Sequence, residues 1–253
     1  MNAIFNELNK LQHAVQEAVT QVVVNTFGLF TLWLYYRYDG SDVQNSDVIL
    51  VLKAKHDHNG ALSLPHFENS FQMHNFTKER IVYRNISSLN DINRELEQQK
   101  LKNNRIKALH IHAHGSSDGF RIADRAAVLR FNARWLKPGL SLLEKDAIIV
   151  FESCSTERID MAGNRSIAQT FASLAPGRRV YAPTKDLSGY GTHFKWDKGI
   201  FEPVFTTPKV VSGNDLFAKI TNIFNIALYI LTLGNYGDNM TAIYQAVPHP
   251  VSP

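Results

Sequence analysis

The sequence predicts an α/β fold, a three-layer sandwich in which helices cover both faces of a mostly parallel, six-stranded sheet. Two observations carry this prediction. Short runs rich in Val, Ile and aromatic residues recur along the chain, and helical patterns of apolar residues separate several of them. The runs are apolar throughout, which is typical of strands buried on both faces of a parallel sheet. With 253 residues, 44% of them hydrophobic, the chain can bury such a core.

The pattern places the elements in order along the chain. The predicted strands are residues 47–54, 80–86, 106–115, 147–153, 178–184 and 199–207. Two helices are predicted between them. The first lies within 87–104, where Ser88 or Asn90 can cap it, and the second lies within 164–177, where Pro176-Gly177 stops it. The segment 133–146 is predicted to be turn-like around Pro138-Gly139.

We divide the chain into three parts. Residues 1–40 are predicted to be an apolar, helical N-terminal segment, 41–210 the α/β domain, and 211–253 a C-terminal helix and tail packed on that domain. Residues 18–36 are uncharged and nearly long enough to cross a bilayer, but several polar side chains dilute them. A buried helix or strand pair is the expected structure there, and contact of 18–36 with a membrane is the alternative.

The charge and the cysteine content indicate which partners and which cellular compartment to expect. The net charge of +4 is small, and the Lys and Arg residues are scattered, so no nucleic-acid partner is predicted. Cys154 is the only cysteine, which excludes an intrachain disulfide. This content fits a reducing compartment, so we expect a cytoplasmic protein, with membrane association as the alternative.

The chemistry-bearing residues follow two of the predicted strands. His114-Gly115 ends the third strand, and Cys154 follows the fourth, in the sequences LHIHAHG and FESCST. Forty residues separate His114 from Cys154, enough for one crossover to return the chain to a neighbouring parallel strand. Because function in such sheets lies at the carboxyl ends of the strands, we expect the imidazole and the thiol to meet there. These two groups suffice for nucleophilic acyl transfer.

Further residues at the same strand ends complete the predicted site. Gly115 lets the backbone approach a substrate closely, and the N–H groups of Gly115 and Cys154 are expected to donate to the developing oxyanion. The candidate substrate-binding residues, which end or follow the fourth and fifth strands, are Ser153, Thr184 and Asp186. A solvated loop acid is the alternative for Asp186.

The motifs HAHG and FESCST, in this order and strand context, resemble those of the caspase-like cysteine peptidases. That clan includes caspases, legumains, gingipains, clostripain, separases, CHAT domains and the autoprocessing domains of large bacterial toxins. The resemblance covers roughly residues 45–207. It implies a caspase-hemoglobinase-like fold and an endopeptidase that cleaves a protein partner, a peptide or its own chain. It makes Cys154 the nucleophile and His114 the base, with no cofactor or metal.

Two alternatives remain open at this point. A caspase-like domain that has lost activity would serve as an interaction module. A metallohydrolase would instead use the alternating His110, His112 and His114, which share one side of a regular strand. Such a site needs further ligands on later strands, but the later candidates are sparse: His193 in a Gly-rich loop and His249 near the tail. We expect His110 and His112 to be packed within the sheet.

Overall fold

The computed structural model describes the parts of the chain that contain most of the predicted strands. These parts are residues 43–55, 79–154, 156, 165–184, 192–197, 200–208, 218–222, 224–225, 237–239 and 241–246. The strands are β1 (Asp47–Ala54), β2 (Arg80–Ile86), β3 (Arg105–His112), β4 (His114–Ser116), β5 (Gly119–Ala123), β6 (Ala126–Leu129), β7 (Ile148–Glu152), β8 (Arg179–Pro183), β9 (Thr192–Asp197), β10 (Ile200–Pro208), β11 (Gly237–Asn239) and β12 (Thr241–Gln245). The helices are α1 (Leu89–Leu101), a 3₁₀-helix (Ala133–Leu136), α2 (Lys137–Leu140) and α3 (Ile167–Leu174). Residues 218–222 and 224–225 are also helical.

The main sheet has six strands in the order β12-β8-β7-β3-β1-β2. Its first five strands along the chain pair in parallel, and β12 joins antiparallel to β8. The predicted α/β class and the mostly parallel, six-stranded sheet are therefore confirmed. The chain reverses its direction of progress across the sheet between β1 and β3.

The sixth strand of the sheet is not the predicted one. Most of the segment predicted as the sixth strand, 199–207, lies in β10 (Ile200–Pro208), but β10 pairs antiparallel with β9 and β11 in a separate sheet. The sixth position belongs to β12, a five-residue edge strand in the region predicted to be helix and tail. Its side chains are exposed or half-buried, so it lacks the continuous apolar run that marks the other strands.

The helices α1, α2 and α3 pack on the same face of the sheet. Their buried side chains join one cluster with the strands, including Leu96, Leu140 and Phe171 with Leu50 and Phe151. The connections from β2 to β3, β3 to β7 and β7 to β8 all advance in one direction, so right-handed crossovers put them on one face. The opposite face is also buried, with a second cluster of Ile49, Val51, Ile81, Ala108, Ile148, Val150 and Tyr181. A helical layer on that face stays a prediction.

Residues 133–140, the first part of the segment 133–146 predicted to be turn-like, are helical instead, and turns follow over 141–146. A 3₁₀-helix runs into α2, and Leu136 and Leu140 point into the core. Pro138 lies in the first turn of α2, where its missing N–H has no intrahelical partner to lose. The proline that signalled a break therefore begins a short helix.

Several predictions from the sequence concern residues that the structure does not describe. Residues 18–36, Asp186 and His249 lie outside the described residues, and so do most of the predicted N-terminal and C-terminal parts. Among the residues that are described, no helix is long and apolar enough to cross a membrane. The division into 1–40, 41–210 and 211–253 stays a prediction.

Helix α1 begins after a capping box. The Ser88 hydroxyl accepts a hydrogen bond from the Asp91 N–H at 3.1 Å, and the Asp91 carboxylate accepts from the Ser88 N–H at 2.9 Å. Ser88, not Asn90, is thus the cap. Burial raises the pKa of Asp91, but hydrogen bonds from Ser87 and Ser88 and the nearby Arg94 outweigh burial and lower that pKa to about 2.

We expect Asp91→Ala to lower the free energy of unfolding by about 1–2 kcal/mol at pH 6. Because the pKa of Asp91 is lowered by folding, its stabilisation is complete above the unfolded value of 3.8 and is lost as the pH falls toward 2. The difference between wild type and variant should therefore shrink by about 1 kcal/mol between pH 6 and pH 3 in urea unfolding. Glu97→Ala, an exposed change on the same helix, is the control. A difference independent of pH would contradict the capping role.

Candidate active site

The candidate site begins where β3 and β7 end. These strands are parallel neighbours, and their last paired residues are His112 and Glu152. His114 and Cys154 each lie two residues beyond that pair. Paired strands are about 4.8 Å apart, so the two segments leave the same edge of the sheet side by side. The predicted adjacency of the two strands is confirmed.

The third strand is shorter than predicted. It ends at His112, the chain bends at the buried Ala113, and His114 begins the separate strand β4. Strand β4 pairs antiparallel with β5, with His114 opposite Arg121. His110 and His112 are 1% and 6% exposed, whereas His114 is half-buried. The expectation that His110 and His112 pack within the sheet is confirmed, and the three histidines do not form one continuous strand.

Gly115 brings the β4–β5 hairpin against the turn that carries Cys154. A Cβ atom added at Gly115 would lie 2.5 Å from the Cys154 carbonyl oxygen, 2.8 Å from Ser153 Cβ and 2.9 Å from Thr156 Cγ2. Real Cβ atoms do not approach other atoms so closely. Only glycine allows this approach, so the His-Gly pair and the cysteine turn are packed directly together.

An aromatic cluster beneath the site holds the same hairpin in place. Phe120 of β5, which lies opposite Gly115, packs against Phe151 of β7 with ring centroids 5.6 Å apart. Phe171 of α3 contacts both, at 6.0 Å from Phe120 and 4.9 Å from Phe151. All three side chains are fully buried. Their packing joins the hairpin, the cysteine-bearing strand and the following helix into one unit.

The turn after β7 is held by two side-chain hydrogen bonds. The Ser153 hydroxyl donates to the Ile111 carbonyl at 3.3 Å, and the Thr156 hydroxyl donates to the Ser153 carbonyl at 3.1 Å. Both side chains are buried, whereas Cys154 between them is half-buried. The structure thus places a half-buried cysteine on a constrained turn, and reactive cysteines are typically partly exposed.

Helix α3 connects the cysteine turn to the hairpin. Its buried N-cap Ser166 forms a capping box with Gln169, which leaves the next backbone N–H groups free to bond elsewhere. The Ala168 N–H donates to the Thr156 carbonyl at 3.3 Å, and the Ile167 N–H donates to the Ser117 carbonyl at 3.1 Å. The start of α3 is therefore bonded to both segments that carry the candidate dyad.

The candidate substrate-binding residues have different positions. Ser153 is 1% exposed, and its hydroxyl bonds to β3. Thr184 is half-buried directly after β8, which neighbours β7, so it lies at the same edge of the sheet as Cys154. Asp186 belongs to the part of the chain that is not described. Substrate contacts by these three residues stay predictions.

Sequence reasoning assigned no role to Glu152, which the structure places beside His110. The His110 Nδ1 and Glu152 Oε1 atoms are 2.6 Å apart, and the two side chains are 2% and 4% exposed. The sequence does contain a sign of this contact, because Glu152 is a carboxylate at the end of an otherwise apolar strand. A buried carboxylate requires a hydrogen-bonding or charged partner. The identity of that partner depends on the strand register.

Metal coordination was the chemical alternative for the strand histidines. Among the described residues, no group of three or more His, Cys, Asp or Glu side chains is arranged to hold a metal ion. The side chain of His193, on β9, is outside the description. His110 contacts Glu152, the last residue of β7.

The candidate site is identified from its two motifs and their geometry. No protein-family model matches the chain, and no curated protein matches its sequence. The resemblance to caspase-like peptidases therefore depends on HAHG, FESCST and the strands that bear them.

We expect Gly115→Ala to lower the free energy of unfolding by about 1–3 kcal/mol, because the added Cβ must displace the cysteine turn. In the protein that remains folded, alkylation of Cys154 by iodoacetamide at pH 7 should slow roughly tenfold, a change of about 1.4 kcal/mol. Since the chain has one cysteine, the rate reports on Cys154 alone.

The matched control for that change is Gly119→Ala in the same hairpin. Its added Cβ would meet Val128 and Leu129 of β6 and not the cysteine turn. This variant should lose stability while its folded form keeps the wild-type alkylation rate. Equal alkylation rates for both variants would contradict a direct packing of Gly115 on Cys154.

Proposed function

We propose that this protein is a cysteine endopeptidase of the caspase-like type, with a three-layer fold of the caspase-hemoglobinase kind. Cys154 is its nucleophile and His114 its general base. The observation that carries the proposal is the packing of Gly115 against the Cys154 turn, where two neighbouring parallel strands end. This packing supports a reaction in which the His114 imidazole and the Cys154 thiol act on the same peptide bond.

The proposed reaction has two stages. The His114 imidazole takes the proton from Cys154 Sγ, and the thiolate attacks the carbonyl carbon of a peptide bond. The N–H groups of Gly115 and Cys154 donate to the resulting oxyanion. The carbon–nitrogen bond then breaks, and His114 returns the proton to the leaving amine. In the second stage, water activated by His114 hydrolyses the thioester, which releases the acid and restores the thiol.

The substrate is proposed to be a protein partner, a peptide or the protein's own chain. His114 and Cys154 are both half-buried at the sheet edge, which supports access by an extended peptide. Thr184, beyond the neighbouring strand β8, and Asp186 would flank that peptide, and Ser153 would contribute through its backbone. The reaction needs no cofactor, and a reducing compartment such as the cytoplasm keeps the thiol available.

A peptide electrophile directed at thiols should inactivate the protein with one adduct, on Cys154. Cys154→Ala should lose both the adduct and the cleavage of a test substrate. His114→Ala should keep the thiol but lose about 10²- to 10⁴-fold in turnover, since general base catalysis contributes that much. Mass spectrometry of the adduct and a cleavage assay measure these effects. His112→Ala is the control: His112 is buried, so its loss should reduce stability more than turnover.

The same assay distinguishes the competing functions. A metallohydrolase would be inactivated by a transition-metal chelator, would resist the electrophile, and would depend on His112 as strongly as on His114. A catalytically silent interaction module would cleave nothing, and its cysteine would react no faster than a free thiol. Either pattern would contradict the proposed peptidase.

A further inference from the structure

The pair formed by His110 and Glu152 has no part in the reaction described above. It joins β3 to β7, the two strands that precede His114 and Cys154, through a contact of 2.6 Å between His110 Nδ1 and Glu152 Oε1. At this distance one of the two groups donates a hydrogen bond to the other. Both side chains are almost fully buried.

The surroundings of the pair are largely apolar, with two titratable neighbours on the same face: the buried His112 opposite Glu152, and the half-buried Lys53 opposite His112. His110 and Glu152 lie on the sheet face that also carries Val51, Ala108 and Val150, all buried. Removing a carboxylate and an imidazole from water is costly, and well-packed apolar side chains in such places often give equal or greater stability. Stability alone therefore does not account for a titratable pair at this position.

The location of the pair is specific to the candidate site. Glu152 is the last residue of β7 and is opposite His112, the last residue of β3. The next residue, Ser153, makes a second lateral contact by donating its hydroxyl to the Ile111 carbonyl. Two consecutive side chains thus attach the end of β7 to β3 immediately before Cys154. Beyond this point the ladder between the two strands stops.

We propose that Glu152 and His110 are positioning residues for the Cys154 nucleophile, which they hold in line with His114 through the hydrogen bond between their side chains. This inference rests on the proposed function. A shift of the β7 end would move the thiol relative to an imidazole that is held by a different segment, the β4–β5 hairpin. The pair therefore acts on the distance and direction between Sγ and the imidazole.

The test measures the pH dependence of Cys154 alkylation by iodoacetamide, together with the melting temperature of each variant. A free thiol ionises with a midpoint of about 8.5, and a well-placed imidazolium lowers that midpoint. Glu152→Ala removes the hydrogen bond and should move the alkylation midpoint upward, toward the position found for His114→Ala. Once the midpoint lies above pH 7, each further pH unit lowers the thiolate fraction at pH 7, and with it the alkylation rate, about tenfold. Glu152→Gln keeps an acceptor oxygen and should retain the wild-type midpoint.

The chain provides a matched control in another buried polar pair. Gln99 accepts a hydrogen bond from Asn104 at 2.9 Å, and both are buried next to the amino end of β3, away from Cys154. Gln99→Ala should lower the melting temperature without moving the alkylation midpoint. If Glu152→Ala does not fold, Glu152→Asp provides the same comparison, because it keeps the carboxyl group but falls one methylene short of His110.

Two results would overturn the inference. One is a wild-type midpoint in folded Glu152→Ala and Glu152→Asp, and the other is an equal shift in Gln99→Ala. Failure of the proposed function looks different: wild type and His114→Ala would then share the midpoint of a free thiol whatever residue occupies position 152. The two failures are therefore distinguishable in one series of measurements.

Discussion

The parallel pairing of β3 with β7 is the constraint on which the rest of the site depends. Its register ends with His112 opposite Glu152, so the segments that follow leave the sheet as neighbours. Each segment carries one candidate catalytic side chain two residues further on. If the register shifted by one residue, every side chain beyond it would change face, and His114 would no longer accompany Cys154.

Packing around this pairing removes the freedom that the two departing segments would otherwise have. The hairpin is held from below by Phe120 in contact with Phe151 and Phe171, and from the side by Gly115 against the Cys154 carbonyl. Peptidase chemistry requires a nucleophile and a base whose geometry is set before the substrate arrives. The described residues hold both segments in place through ordinary core packing, with a glycine beside the Cys154 turn where a side chain would not fit.

The sequence predicted those parts of the fold whose signal is local. Strands β1 and β2 and helix α1 were recognised from apolar runs and a helical stripe, because their burial depends on one continuous segment. The hairpin strands β4 to β6 were not recognised as separate strands, since each has only three to five residues. Strand β12 was missed for a related reason: an exposed edge strand carries little apolar pattern.

Within the site, the sequence identified the residues but not the contacts between them. His114 and Cys154 follow recognisable strands, so their meeting at one sheet edge could be inferred. The pair of His110 and Glu152 could not, because the 42 residues between them make the contact a matter of register and not of pattern. The same holds for Gly115, whose role comes from what lies opposite it in space.

The most direct measurement of the central claim is a disulfide test of the distance between positions 114 and 154. Because Cys154 is the only cysteine, His114→Cys creates a protein with two thiols. A disulfide forms readily only when Cα atoms are about 4.4–6.8 Å apart. The account predicts that mild oxidation joins the two thiols within one chain, whereas Arg121→Cys, on the strand opposite His114, stays reduced. Two free thiols in folded, oxidised His114→Cys protein would contradict the account.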